Sequence, residues 1–124
     1  MPEIIETEIT RLGAQGDGEA AGPKGVVHVP FALPGERVRV ALEGKQASLE
    51  AVLSPAADRI EPACAVFGRC GGCQLQHLAA PAVADFKRQM VQTALAHRGF
   101  HDAVVEPTLS LAAGDRRRAK FSVL

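Results

Sequence analysis

Short runs in which apolar and polar residues alternate dominate the first half of the chain. In "IIETEITRLG" the side chains of Ile5, Thr7 and Ile9 alternate with charged or polar neighbours, which predicts a half-buried strand. Three further segments of similar character follow, namely "VVHVPF", "RVRVAL" and "ASLEAVLS". The glycine-rich stretch "GAQGDGEAAGPKG" separates the first two strands and predicts a turn or a flexible loop.

Four short strands at a spacing of roughly ten residues predict a small β-barrel or β-sandwich over residues 1–55. Closure into a barrel removes exposed strand edges, which favours the barrel for so small a sheet. Along "RVRVAL" the alternation places Val38 and Val40 on the apolar face. The residues predicted on the polar face of this strand are Arg37, Arg39 and Ala41.

The period of the apolar pattern changes after the cysteines. In "PAVADFKRQMVQTALAHRG" apolar residues recur every three or four positions, as at Val83, Phe86 and Met90, which predicts a helix over residues 81–98. Gly99 follows as a natural C-terminal cap. The sequence therefore predicts a mainly β chain with one helix, an α+β fold.

The last segment, residues 102–124, returns to short apolar runs. It predicts two strands joined by a turn at Gly114–Asp115. The second strand, "RRRAKFSVL", is still apolar where it stops at Leu124. Since a domain rarely ends inside an apolar strand, we expect the chain to be a truncated part of a longer protein.

Composition narrows the class of protein. The 124 residues suit one ordinary domain or two small ones, and 47% hydrophobic residues suffice for a core. The chain has no apolar run of about 18 residues, and "MPEIIETEIT" does not resemble a secretory signal, so we expect a cytoplasmic protein without a membrane span. In that reducing setting three clustered cysteines are more typical of ligands or redox groups than of a disulfide.

The net charge of zero conceals an asymmetry along the chain. Residues 1–60 carry 6 Lys or Arg against 9 Asp or Glu, whereas residues 61–124 carry 8 against 5. Any contact with nucleic acid should therefore depend mainly on the second half. The candidate RNA-contacting residues are Arg116, Arg118 and Lys120, on one face of the predicted last strand, and Arg37 and Arg39. For each group a solvated surface is the alternative interpretation.

The segment "CAVFGRCGGCQLQH" contains all three cysteines, Cys64, Cys70 and Cys73, followed by His77. Three interpretations remain open. The thiols are ordinary buried side chains, or they bind zinc together with His77 in a Cys3His site, or they hold three irons of a [4Fe–4S] cluster whose fourth ligand lies elsewhere. A glycine pair between the last two cysteines lets backbone amides approach the sulfur atoms closely.

These residues resemble a known family. The segment "RIEPACAVFGRCGGCQLQHL" is similar to the iron–sulfur motif of the TRAM-containing RNA uracil-C5 methyltransferases, S-adenosylmethionine (SAM)-dependent enzymes that make 5-methyluridine in ribosomal RNA. The matching residues are Arg59, Pro62, Cys64, Cys70, Gly71, Gly72, Cys73, Gln76 and His77. Upstream, "HVPFALPGERVRV" resembles the TRAM domain, and downstream "GDRRRAKFSV" resembles the opening strand of the central domain.

The resemblance implies an organisation in three parts. Residues 1–55 would form an OB-like TRAM barrel that binds RNA, residues 56–100 the cluster loop and helix, and residues 101–124 the start of a truncated central domain. Cys64, Cys70 and Cys73 would be cluster ligands, with the fourth cysteine downstream of this chain. The SAM-binding domain, the nucleophilic cysteine and the general base would also lie downstream, so this chain contains no catalytic residue, does not bind SAM and is inactive alone.

The family further implies a monomer that binds RNA, with ribosomal RNA as the expected partner. The alternative from another class is a self-contained RNA-binding module with a Cys3His zinc site and no catalytic activity.

Overall fold

A computed structural model of the chain describes residues 1–112, 114–121 and 123. The chain divides into two compact units, Met1–Val83 and Ala84–Leu124. Within the described residues it forms the strands β1 (Glu3–Glu8), β2 (Arg11–Leu12), β3 (Gly18–Gly22), β4 (Gly25–Val29), β5 (Arg37–Glu43) and β6 (Gln46–Ser54), followed by the helix α1 (Ala80–His97). The prediction of a mainly β chain with one helix is confirmed.

The strands form two antiparallel three-stranded sheets, which we call the β domain. Their orders are β1-β5-β6 and β2-β3-β4. The hydrogen-bonded ladders of the two sheets do not join into a closed barrel in the part of the chain that the structure describes. One buried apolar cluster draws residues from both sheets, from the connection between β1 and β2 and from the loop after β4, namely Ile9, Ala20, Val29, Ala32, Val38 and Val40.

The alternation predicted for β5 is confirmed with one exception. Val38 and Val40 are fully buried, and Arg37 and Arg39 are exposed. Ala41, predicted on the polar face, is only 7% exposed. The pairing of β5 with β6 shifts register between Arg37 and Val38 and between Arg39 and Val40, with the extra residue on β6 in each case. These shifts leave the alternation along β5 unchanged, and the burial of Ala41 has no explanation in the strand pattern.

The glycine-rich stretch contains a strand, so its prediction as a loop is wrong over β3. The surroundings of Gly18 explain why glycine occurs at this position in the strand. A Cβ atom at this position would lie 2.7 Å from the backbone oxygen of Ala32 and 2.8 Å from a methyl carbon of Ile9. Close packing against the core, rather than a turn, therefore requires this glycine.

Helix α1 agrees with its prediction to within one residue at each end. Gly99 has a φ of 90°, and the N–H of Phe100 donates to the carbonyl of Leu95 at 2.9 Å, which closes the helix with a left-handed cap. No helix in the described ranges is long and apolar enough to cross a bilayer.

The two strands predicted after the helix are absent from the described residues of 102–123. The turn is present, because the N–H of Asp115 donates to the carbonyl of Ala112 at 3.2 Å and Gly114 has a φ of 88°. A lone hairpin is marginal in water without a second layer to cover it, and Leu109 and Phe121 are 98% and 85% exposed. Ala113, Ser122 and the predicted strand end at Leu124 lie outside the described residues.

Candidate metal centre on the cysteine loop

The cysteines lie on a loop, residues 60–77, whose two ends are joined; we call it the cysteine loop. Arg59 and Leu78 pair as an isolated antiparallel bridge at its neck. The N–H of Ile60 donates to the carbonyl of His77 at 2.9 Å, and the N–H of Ala79 donates to that of Asp58 at 2.8 Å. The loop therefore leaves and returns to the β domain at one place.

Local hydrogen bonds shape the inside of the loop. The N–H of Phe67 donates to the carbonyl of Cys64 at 3.2 Å, and the N–H of Cys70 donates to that of Val66 at 3.0 Å. The N–H of Cys64 also donates to the side-chain oxygen of Gln76 at 3.1 Å, which ties the two arms of the loop together. Gln76, known from the sequence only as a motif residue, thus fixes the backbone of the first cysteine.

All three cysteines are exposed and carry free thiols. The interpretation of Cys64, Cys70 and Cys73 as ordinary buried thiols is therefore wrong. Glycine at position 72 leaves room beside one of them, since a Cβ atom there would lie 3.4 Å from the sulfur of Cys70. Among the described residues, no group of three or more His, Cys, Asp or Glu side chains is arranged to hold a metal ion.

The loop has the thiol ligands that an iron–sulfur cluster needs, although these thiols are not gathered around one point in the described residues. Three exposed thiols on one glycine-containing loop are the ligands that such clusters use. The backbone turns at Gly68 and Gly71 have φ values of 91° and 77°, so the loop bends sharply on both sides of Cys70. A cluster would require the thiols to turn toward a common centre, which their exposure permits.

His77 has surroundings unlike those of the cysteines. It is only 2% exposed, and its ring centroid lies 5.9 Å from that of Phe31 and 5.5 Å from that of Phe67. Neither ring nitrogen has a hydrogen-bond partner among the residues that the structure describes. Burial, helped by the nearby charge of Arg59 and opposed by that of Glu36, lowers the pKa of His77 and favours the neutral ring.

The two phenylalanines complete an aromatic cluster, which consists of Phe31, Phe67 and His77. The rings of Phe31 and Phe67 meet edge to face at 5.4 Å. Phe31 has a φ of 68°, an uncommon conformation for a residue with a side chain, and it is 36% exposed. These aromatic contacts pack the cysteine loop against the β domain.

A buried ion pair lies beside the aromatic cluster. Glu36 is fully buried, and the guanidinium of Arg59 donates to its carboxylate through Nε at 2.6 Å and through Nη2 at 2.8 Å. Nη2 also donates to the carbonyl of Phe31 at 2.6 Å. The N–H groups of Leu33 and Ala56 donate to the same carboxylate at 2.7 and 3.2 Å.

These contacts determine the ionisation of Glu36. Burial alone would raise its pKa, but the hydrogen bonds from Arg59, Leu33 and Ala56 together outweigh burial, and the pKa lies below its ordinary value. Sequence reasoning missed Glu36 entirely. It follows a Pro-Gly turn and precedes a strand whose alternation does not mark it as buried, so no local pattern distinguishes it from a surface glutamate.

The candidate RNA-contacting residues fall in separate units. On β5, Arg39 lies 3.1 Å and Arg37 4.0 Å from the carboxylate of Glu6 on β1. Both arginine side chains remain about half exposed, so their contact with RNA stays a prediction. Arg116, Arg118 and Lys120 are exposed in the second unit, in a segment without a strand, so the predicted shared face is not formed.

Comparison with known proteins relates the chain to one group. No protein-family model matches it. A protein of Agrobacterium fabrum is 44% identical over 92% of this chain, one of Mesorhizobium japonicum 46% over 89%, and one of Streptococcus pyogenes 36% over 98%. Each is named an uncharacterized RNA methyltransferase.

The similarity covers most of this chain and a minor part of each relative. The aligned regions make up 29%, 26% and 29% of these three proteins, so the chain spans less than a third of their length. Over about nine-tenths of its own length, the chain is a homologue of part of a group of proteins named RNA methyltransferases.

Proposed function

We propose that this chain is the RNA-contacting and cluster-bearing segment of a SAM-dependent methyltransferase that makes 5-methyluridine in RNA, with ribosomal RNA as the substrate class. The observation that carries this proposal is the similarity to RNA methyltransferases along nine-tenths of the chain. The pattern C-x5-C-G-G-C-x-x-Q-H, from Cys64 to His77, supports the uracil-C5 branch of such enzymes.

In this proposal the β domain acts as a TRAM-like RNA-binding module. Its exposed Arg37 and Arg39, and the basic residues of the second unit, contact phosphate groups, for which arginine is well suited. The protein acts as a cytoplasmic monomer. SAM binding and the thiolate that attacks uracil belong to sequence outside this chain, so none of its three cysteines is catalytic.

Cys64, Cys70 and Cys73 hold three irons of a [4Fe–4S] cluster in the proposed protein. A ligand outside this chain completes the site, so the bound cluster would connect the cysteine loop covalently to a second part of the protein. The exposure of all three thiols supports this role, because a ligand must be able to face a partner beyond its own loop.

A zinc-binding RNA module is the second candidate, and one observation favours it. Both ring nitrogens of His77 are buried and have no hydrogen-bond partner within the described part of the chain, as a ligand nitrogen has none before its metal binds. The Cys3His site would require His77 to leave the aromatic cluster and join the exposed cysteines, which loses its contacts with Phe31 and Phe67.

Anaerobic reconstitution of the purified chain with Fe²⁺, sulfide and a small thiol, which takes the place of the fourth ligand, separates the two candidates. We expect visible absorbance from iron–sulfur charge transfer that is lost in Cys70→Ser and retained in His77→Phe, a variant that keeps a planar ring in the aromatic cluster. Circular dichroism of both variants serves as the control for folding. Zinc bound at one ion per chain, with no iron–sulfur absorbance and with loss of zinc in His77→Phe, would contradict the cluster and support the module.

A further inference from the structure

We propose that Glu36 and Arg59 are positioning residues, which hold the neck of the cysteine loop on the β domain before any iron binds. The inference rests on the proposed role of Cys64, Cys70 and Cys73 as cluster ligands. It assigns a role to two residues that are not ligands and that lie outside the loop.

The neck of the loop is formed without any thiol. Its bonds join the backbones of Ile60 and His77 and those of Asp58 and Ala79, next to the bridge between Arg59 and Leu78. In small metal domains such as zinc fingers, by contrast, metal binding supplies the free energy that folds the ligand loop. Here the bonds that close the neck join backbone groups and include none of the three thiols.

Arg59 connects this neck to the β domain. Its guanidinium makes three hydrogen bonds, two to Glu36 and one to the carbonyl of Phe31, while its backbone pairs with Leu78 on the opposite arm. One residue therefore belongs both to the neck and to the buried ion pair. Any motion of the neck away from the β domain must break these charge-assisted bonds.

Glu36 provides a fixed anchor for Arg59. The N–H groups of Leu33 and Ala56 hold its carboxylate, and Leu33 is itself fully buried. The carboxylate is thus fixed from the side of the β domain and presents both oxygens to the guanidinium. A planar fork on Arg59 matches this geometry, whereas the ammonium group of a lysine cannot make both contacts in the same way.

The tip of the loop is the part that remains free to adjust. The three thiols are exposed, and the described residues do not form a metal-holding group. A fixed neck with an adjustable tip limits the conformational entropy that is lost when a cluster forms, because only the tip must be ordered around the iron atoms.

Hydrogen–deuterium exchange of the iron-free chain tests the positioning role directly. The amides to follow are those of Ile60 and Ala79, which donate across the neck, with the amides of β5 as an internal measure of folding. We expect Arg59→Met to speed exchange of both neck amides by about tenfold or more while β5 stays protected. Arg59→Lys keeps the positive charge but cannot make both hydrogen bonds to Glu36, so we expect a smaller increase in the exchange rate of the neck amides. This variant takes the place of Arg59→Met if the latter does not fold.

Arg39→Met is the matched control. Arg39 also donates to a glutamate, Glu6, at 3.1 Å across strands of the same domain, but both side chains are exposed. We expect the neck amides of the Arg39→Met variant to exchange at the wild-type rate. After incubation with Fe²⁺ and sulfide, cluster formation should be slower in Arg59→Met than in wild type and unchanged in Arg39→Met.

Two results would overturn the positioning role alone. One is normal iron uptake with unchanged neck exchange in both Arg59 variants. The other is a neck that is unprotected in the iron-free wild type and becomes protected only when iron binds, because iron would then fold the loop. Failure of the wild-type chain to take up iron and sulfide, with a small thiol supplied in place of the fourth ligand, overturns the proposed cluster and, with it, the positioning of its ligands.

Discussion

The buried carboxylate of Glu36 links the β domain to the neck of the cysteine loop through Arg59. It accepts hydrogen bonds from Leu33 and Ala56 of its own domain and from Arg59 at the neck of the loop. Removing one partner of such a buried pair is costly, because the remaining charge stays buried without compensation. The stability of the first unit should therefore respond to the ionisation of this one residue.

At the residue scale we predict that Glu36→Gln lowers the free energy of unfolding by about 1–3 kcal/mol at pH 7, since it removes the charge that pairs with Arg59. The pKa of Glu36 is lowered by folding, so its contribution is present above the unfolded pKa of about 4.3 and is lost as pH falls through the folded value. Urea denaturation at a series of pH values from 7 to 3 measures the free energy of unfolding of wild type and Glu36→Gln.

The difference between wild type and Glu36→Gln should shrink toward low pH, because the protonated carboxyl resembles the amide. Glu6→Gln is the control, since Glu6 forms an exposed pair with Arg39 and should change stability by less than about 1 kcal/mol. A difference for Glu36→Gln that stays constant over the whole pH range would show that the charge of Glu36 does not stabilise the fold.

At the scale of secondary-structure elements, packing decided what local pattern could not. The alternation of β1, β4, β5 and β6 predicted these strands because one face of each is apolar. Strand β3 was not predicted, because its glycines and alanines are typical of a turn. Gly18 is instead needed because Ala32 and Ile9 leave no room for a side chain. The strands predicted after α1 did not form in the described residues, because an apolar pattern needs a surface on which to pack.

We therefore predict that Gly18→Ala destabilises the β domain by about 1–3 kcal/mol, because its Cβ would meet the backbone oxygen of Ala32 at 2.7 Å. Gly13→Ala is the control. Its Cβ would meet only the end of the flexible Glu19 side chain, at 2.9 Å, which can move aside. Thermal unfolding of the two variants gives the comparison, and equal melting temperatures would contradict a packing role for Gly18.

At the scale of the whole molecule, the chain corresponds to one part of the longer proteins that it resembles. It spans less than a third of the RNA methyltransferases that it resembles, and its candidate metal centre supplies three thiols rather than four. These two observations agree with the proposal that catalysis and the fourth cluster ligand belong to sequence outside this chain.

We predict that the purified chain transfers no methyl group from radiolabelled SAM to ribosomal RNA, before or after reconstitution with iron and sulfide. The reason is that the proposed function assigns all three cysteines to the cluster and places SAM binding and the nucleophile in sequence outside this chain. A relative of full length serves as the positive control. Incorporation of label into RNA by the chain alone would contradict the proposed division of labour.

The sequence alone determined the strands β1, β4, β5 and β6, the extent of α1, its glycine cap and the cysteine motif, because each depends on residues close together along the chain. The tertiary structure alone decided that Glu36 is buried against Arg59, that Gly18 packs on the core and that His77 lies among aromatic rings while the cysteines are exposed. Arg59 is 23 residues from Glu36 along the chain, and no local pattern reports a contact at that separation. Such contacts depend on how the loop folds back on the β domain, which only the complete set of packed side chains determines.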